Sequence, residues 1–157
     1  MKKFILILLL LIPIGLLVSC SDDVSDPTSV ADCQVTLTFN NVAVINGVIY
    51  ATQDYPLEVE SVNIYSPSGS TKGISEVEYS VDNHASSIAK YAPFTGRFDT
   101  RYLTAGVHPL GVLVDLIQTD NSQIPDNMQY NFTVVPTVED LPAGAELGTF
   151  TQTFKVG

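Results

Sequence analysis

From Cys33 onward, apolar and polar positions alternate with a period of two almost throughout. Val35, Leu37 and Phe39 alternate with Gln34, Thr36 and Thr38. Val77, Tyr79 and Val81 alternate with Glu76, Glu78 and Ser80, and Phe150, Phe154 and Val156 with Thr149, Thr151, Thr153 and Lys155. Successive side chains of a strand point to opposite faces, so each segment predicts a strand with one core face and one wet face. No stretch carries the 3.6-residue period of an amphipathic helix, and the expected fold class is all-β.

Local signals refine the strands. Asn46-Gly47, between Val42-Ala43-Val44-Ile45 and Val48-Ile49-Tyr50, is a two-residue hairpin signal, because both central positions need positive φ. In Leu57 to Tyr65 the apolar parity changes: Leu57 and Val59 share one face, Val62 and Ile64 the other. A bulge near Glu60 and Ser61 would keep both pairs in the core. Val107 to Gln118 is the longest apolar segment of the domain, with Leu110, Val112, Val114 and Leu116 on one face and Leu113 and Ile117 on the other. It predicts a central strand covered on both sides. Asp115 interrupts the second face, and a buried carboxylate is costly unless paired, so Arg97 or Arg101 is the expected partner. Turn signals at Pro67-Ser68-Gly69, Thr104-Ala105-Gly106, Asp120-Asn121-Ser122 and Pro142-Ala143-Gly144 divide the chain into eight or nine short strands, the spacing of an antiparallel sandwich.

The N-terminus is of a different kind. Lys2 and Lys3 precede an uncharged apolar run of 15 residues, Phe4 to Val18, and Ser19 is the small residue a signal peptidase requires. The run contains Pro13 and Gly15 and falls short of the roughly 20 residues that span a bilayer, which argues against a transmembrane anchor. Leu17-Val18-Ser19-Cys20 resembles the bacterial lipobox. That resemblance implies cleavage before Cys20, a diacylglyceryl thioether on its sulfur and an additional acyl chain such as palmitate on its amino terminus. At about 0.8 kcal/mol per buried methylene, two or three chains anchor a protein where one does not. Residues 1–19 are therefore expected to be a lipoprotein signal peptide and 20–32 an acidic, disordered tether, with 33–157 as the domain. Ser21-Asp22-Asp23 resembles the short acidic export signal of surface lipoproteins in certain Gram-negative gut commensals, and implies an outer-membrane protein facing the cell surface. The twelve residues from Ser21 to Asp32, at about 3.3 Å each, would reach roughly 40 Å from the lipid.

Charge narrows the partners. Without residues 1–19 the chain keeps 138 of its 157 residues, five basic and 17 acidic, for a net charge of −12. Such a surface repels nucleic acid and anionic head groups, so contact with a membrane must come through the lipid and no nucleic-acid partner is expected. With Cys20 acylated, Cys33 is the one remaining cysteine: it forms no intrachain disulfide and no thiolate metal site, and reads as a buried thiol in the first strand.

Ile74 to Asp82 (ISEVEYSVD), Ala92-Pro93-Phe94 and Arg97 to Asp120 (RFDTRYLTAGVHPLGVLVDLIQTD) resemble, in that order, segments that recur in bacterial immunoglobulin-like modules. The resemblance covers roughly residues 74 to 120 and implies an immunoglobulin-like β-sandwich. Asn83, where the family usually has Gly, and Pro109 depart from the pattern. The tail supplies two strand-like pieces, Met128 to Val135 and Thr149 to Val156, where the simple module needs one. Such modules serve as spacers, adhesin stalks and enzyme appendages, so fold alone does not give function.

Residues for catalysis are scarce. His84 lies in a polar turn and His108 at the module's recurrent turn position, which suits capping or packing. No nucleophile elbow, phosphate loop or His-Glu-x-x-His helix occurs. Glu58 with Glu60 and Glu76 with Glu78 are neighbours on strand surfaces, whereas glycosidase carboxylates face each other across a cleft. No enzymatic activity and no cofactor beyond the lipid on Cys20 is therefore expected. Asp120, Asn121 and Asp126 form an oxygen-rich group that could take calcium. Tyr50, Tyr55 and Tyr91 lie near strand ends or loops, where aromatic faces could stack a sugar. The expected function is a lipid-anchored, non-catalytic binding or adhesion module for a protein or glycan. The alternative is a structural spacer or accessory subunit of a larger surface assembly, including glycan-uptake systems.

Overall fold

The computed structural model describes residues 32–156. The signal peptide, Cys20, Ser21-Asp22-Asp23 and the tether up to Ala31 lie outside the described residues.

Nine strands follow one another: β1 (Gln34–Ile45), β2 (Val48–Thr52), β3 (Leu57–Tyr65), β4 (Thr71–Val81), β5 (His84–Ala89), β6 (Gly96–Phe98), β7 (Gly106–Gln118), β8 (Gln123–Val135) and β9 (Gly148–Lys155). Two single turns of 3-10 helix, Thr100–Tyr102 and Val138–Asp140, interrupt the loops. One sheet has the order β9-β1-β3-β6 and the other β5-β4-β7-β8-β2, and β1 joins them, because its last residues pair with β2. The crossing is made at Asn41, whose φ of 59° bends the chain and whose side chain donates to the Pro56 carbonyl. Hairpins link β4 to β5 and β7 to β8, while β3–β4, β5–β6 and β6–β7 cross between sheets. This is the Greek-key order of an immunoglobulin-like sandwich.

The period-two reading is realised in the packing. Val35, Leu37 and Phe39 of β1, Val77 and Tyr79 of β4, Leu110 to Leu116 of β7 and Met128 to Val134 of β8 point their alternate side chains into one shared core. Asn46-Gly47 forms the expected turn, with φ of 52° and 78°. A bulge falls where the parity of β3 changes: Thr38 pairs with Ser61 and Phe39 with Val59, leaving Glu60 unpaired. That extra residue keeps both Val59 and Val62 buried.

Four expectations are corrected. The sandwich is not purely antiparallel, since β2 runs parallel to β8. β7 is central but covered on one side only. Val107 is 66% exposed, and Leu113 and Ile117 are half-buried by cross-strand neighbours rather than by a second layer. Asp115 consequently sits on the open face and needs no buried partner; Arg97 pairs with Glu58 and Arg101 with Asp99 instead. Asp32, expected to end the tether, is already fixed to the domain: its carboxylate accepts from the Ser68 backbone N–H at 2.7 Å and from the Ser66 and Ser70 hydroxyls at 3.3 Å. The open question of the tail resolves as an added strand, β9, hydrogen-bonded along the outer edge of β1.

Candidate functional site

The turns gather at two ends. At one, Asp32 leads the chain in, Val156 donates its N–H to the Cys33 carbonyl, and the β3–β4 and β7–β8 turns meet through a bond from Thr119 N–H to Ser70 O. Behind them the buried Thr71 and Gln118 side chains bond each other at 3.2 to 3.3 Å. Hydrogen bonds from Ser68, then Ser70 and Ser66, hold the Asp32 carboxyl below the usual carboxylate range. Burial pushes the Cys33 thiol up, which leaves it a neutral core side chain.

The opposite end is built by four connections: Gln53 to Pro56, Asp82-Asn83, Asp99 to Ala105 and Pro136 to Leu147. Thr100 organises them. Fully buried, its hydroxyl lies 2.6 Å from the Thr52 carbonyl and 2.8 Å from that of Tyr55. Gln53 donates its side-chain amide to Leu103 O and its backbone N–H to Val135 O, and the Val138 N–H donates to Asp54. Asp82 and Asn83, both at positive φ, close the β4–β5 hairpin. The turn aims the Asp82 carboxylate at His108 Nδ1, 2.9 Å away, while His108 Nε2 meets Thr104 O at 2.8 Å. Burial lowers the His108 pKa, but the Thr104 carbonyl and Asp82 outweigh it and the net direction is upward. With both nitrogens engaged, His108 ties two loops together and has no lone pair left for a substrate or metal.

Asp54, Pro56, Arg97, Asp99 and Arg101 line a shallow cavity of about 250 Å³ on this end. Arg101 grips Asp99 with two parallel bonds, Nε to Oδ1 at 2.9 Å and Nη2 to Oδ2 at 2.6 Å, and its guanidinium lies 5.8 Å from the centre of the Tyr102 ring. The pair holds Asp99 below, and Arg101 above, their ordinary values. Arg97 Nε stands 3.6 Å from Glu58, directly across the β3–β6 register. Two exposed rings, Tyr55 at 50% and Tyr102 at 84% of their surface, neighbour the lining residues in sequence. The arrangement places two ion pairs and two exposed aromatic rings on neighbouring loops of this end.

The sequence-derived candidates do not all meet here. Tyr55 does. Tyr50 is half-buried on β2, facing away from the core between Ala43 and Thr133, and Tyr91, 86% exposed, stands on the β5–β6 crossover, so the three form no common platform. Asp120 turns its carboxylate onto the Ser122 N–H and hydroxyl, Asn121 accepts from Lys72, and Asp126 lies on β8 with the inward-facing parity of Ile124 and Met128. Burial raises the Asp126 pKa. Among the described residues, no group of three or more His, Cys, Asp or Glu side chains is placed to hold a metal ion. Cys20 lies outside the described residues. Thr100, Asp82, Arg101 and Tyr102 were not recognised as site residues from sequence. The spacing Asp99-x-Arg101 was the one local signal, since a carboxylate two residues before an arginine at a helix start can cap and pair at once.

No protein-family model matches the chain, and no curated protein does. Among solved structures, the fibronectin(III)-like modules of Clostridium thermocellum CbhA are similar over 60% of this chain and 96% of theirs, with 17% identity and a TM-score of 0.36. The fold assignment rests on strand order and register. Among the described residues, no helix is long and apolar enough to cross a membrane.

Proposed function

We propose that this chain is a lipid-anchored, outward-facing immunoglobulin-like module that binds a protein or glycan through the loops farthest from its anchor, without catalysing a reaction. The observation that carries this reading is polarity. Asp32, the residue through which the chain continues toward Cys20, is clamped at one end of the sandwich. Tyr55, Arg97, Arg101 and Tyr102 lie at the other. An anchor at the first end would present the second to the surroundings, and a tether of the expected length would lift it clear of the lipid head groups. Aromatic and arginine side chains on loops held by a rigid scaffold are the residue types that dominate recognition surfaces.

The test is affinity capture from intact cells with tagged, lipidated protein, read beside a glycan array. A partner or glycan bound by the wild type and lost in Tyr55→Ala/Tyr102→Ala supports the reading. Blanks in both assays favour the spacer or accessory-subunit alternative. The anchor is tested separately with Cys20→Ala, which is expected to leave the membrane fraction; an uncleaved, globomycin-insensitive band that still sediments with membranes overturns it.

A further inference from the structure

We propose that a second copy of this chain pairs with the free edge of β9, antiparallel and centred on Gln152. β9 is hydrogen-bonded to β1 along one side, and no other strand among the described residues pairs with it. The N–H and C=O groups that alternate residues of β9 direct to its other side therefore have no strand partner among the described residues. Edges of this kind are normally blunted by proline, by bulges or by charge. β9 contains no proline and no acidic residue, and its single charge is Lys155 at the end. The other outer strands are shorter: β6 has three residues and β5 six.

The sequence of the edge selects the occupant. Phe150-Thr151-Gln152-Thr153-Phe154 reads the same in both directions. In an antiparallel pair about Gln152, Gln152 meets its own copy, Thr151 meets Thr153, Phe150 meets Phe154 and Thr149 meets Lys155. Parity is kept, so the exposed threonines stay on the outer face and the half-buried Phe150, Gln152 and Phe154 continue the core face. The two Gln152 amides, each with a donor and an acceptor, can satisfy each other. The twofold symmetry of such a contact is that of most homodimers. Charge agrees: in a chain of net charge −10, the outward-facing positions of β1 and β9 (Gln34, Thr36, Thr38, Thr149, Thr151, Thr153 and Lys155) carry no acidic side chain, so two acidic copies can approach along this strip.

Full-length lipidated protein in detergent tests the pairing. Gln152→Cys is expected to cross-link to a homodimer under mild oxidation, because residue 152 alone faces itself. Thr149→Cys and Lys155→Cys should each fail alone and cross-link when mixed. Thr151→Glu/Thr153→Glu sets like charges opposite each other and should weaken the dimer at least tenfold, and Thr151→Glu/Thr153→Lys should restore it, with unchanged circular dichroism in both. A monomer at every concentration, cross-linking of the single 149 or 155 variants, or a dimer indifferent to the charge pairs overturns the proposal.

Antiparallel pairing places the two Asp32 ends at opposite ends of the dimer. This consequence rests on the anchoring proposed above: two lipidated copies paired this way would join facing membranes. Vesicles carrying the lipidated chain should then aggregate, and Thr151→Glu/Thr153→Glu should disperse them. Cross-linking without aggregation keeps the dimer and overturns the facing-membrane arrangement alone.

Discussion

Where the chain comes into the domain, the Asp32 carboxylate is held by serine hydroxyls and one backbone N–H, with Thr71 and Gln118 bonded to each other behind it. At the far end, Asp82 and Asp99 are held by His108 and Arg101, and the neutral bonds run through Thr100. The two ends fasten their turns with different donors. Serine donors do not titrate, so the first clamp depends on the ionisation of one carboxylate. The second also depends on that of a histidine. Both ends should therefore lose stability in acid, through Asp32 and Asp99, while the far end alone should also lose stability as pH rises through the His108 value.

The largest expected effect is at Thr100. Thr100→Val keeps the shape and removes the hydroxyl that serves the Thr52 and Tyr55 carbonyls, so it should cost about 1–3 kcal/mol, the range for stranding buried acceptors. Urea unfolding gives the total. Hydrogen exchange should show the loss concentrated in Gln53 to Leu103 contacts, while Ser66 to Thr71 keep their protection. Equal deprotection at both ends would mean that the loops are not held by Thr100.

Next comes His108→Leu, expected to cost about 1–2 kcal/mol near pH 6 by leaving Asp82 and the Thr104 carbonyl without their donor. The sign follows from the raised pKa of His108. The charged form is favoured by the fold, so its contribution is fully present below the unfolded value of about 6.5 and is lost as pH rises through the folded value. The gap between wild type and variant should shrink from about pH 6 to pH 8, where the unfolded histidine is already neutral. A gap that widens over that interval would reverse the assignment.

These residues also mark what could be read from sequence. Period-two alternation, the Asn46-Gly47 turn and the bulge at Glu60 are local, and each was legible because a few neighbouring residues decide it. The Asp82-Asn83 hairpin was equally local but carried no Gly; Asp and Asn adopt positive φ without one, so its turn and its aim at His108 went unread. The pairing of Arg97 with Glu58 depends on the β3–β6 register, and the contacts of Thr100 span 45 and 48 residues. No neighbour in the chain announces them. Asp115 misled for the opposite reason: a continuous apolar run implied two covered faces, and cross-strand side chains shield the second face without a further layer. Tyr50, Tyr55 and Tyr91 shared only a position near strand ends, and topology sent them to three surfaces.

Asp32 sharpens the comparison from the acid side. Its pKa is lowered in the folded state, so its contribution is present above the unfolded value of about 3.9 and disappears as pH falls through the folded one. The advantage of the wild type over Asp32→Ala should be level from neutral pH to about pH 5 and vanish in more acid solution. His108→Leu should leave that acid limb unchanged, because its partner Asp82 belongs to the other end. Loss of the acid limb in His108→Leu would mean that the two ends do not act independently.

The smallest effect separates the Asp32 clamp from its exposed neighbour. Lys72 donates to Asn121 across the β3–β4 and β7–β8 turns, and so also bridges the entering end. Both side chains are exposed, and an exposed polar contact trades bonds with water at little net gain. Lys72→Met should therefore change stability by no more than about 0.5 kcal/mol at any pH, as surface substitutions usually do. If the bridge rather than Asp32 fastened these turns, Lys72→Met would loosen the Thr119 N–H to Ser70 O bond and raise amide exchange at Thr119. Unchanged protection of Thr119 in Lys72→Met, set against its loss in Asp32→Ala, would assign the clamp to the carboxylate that leads toward the tether.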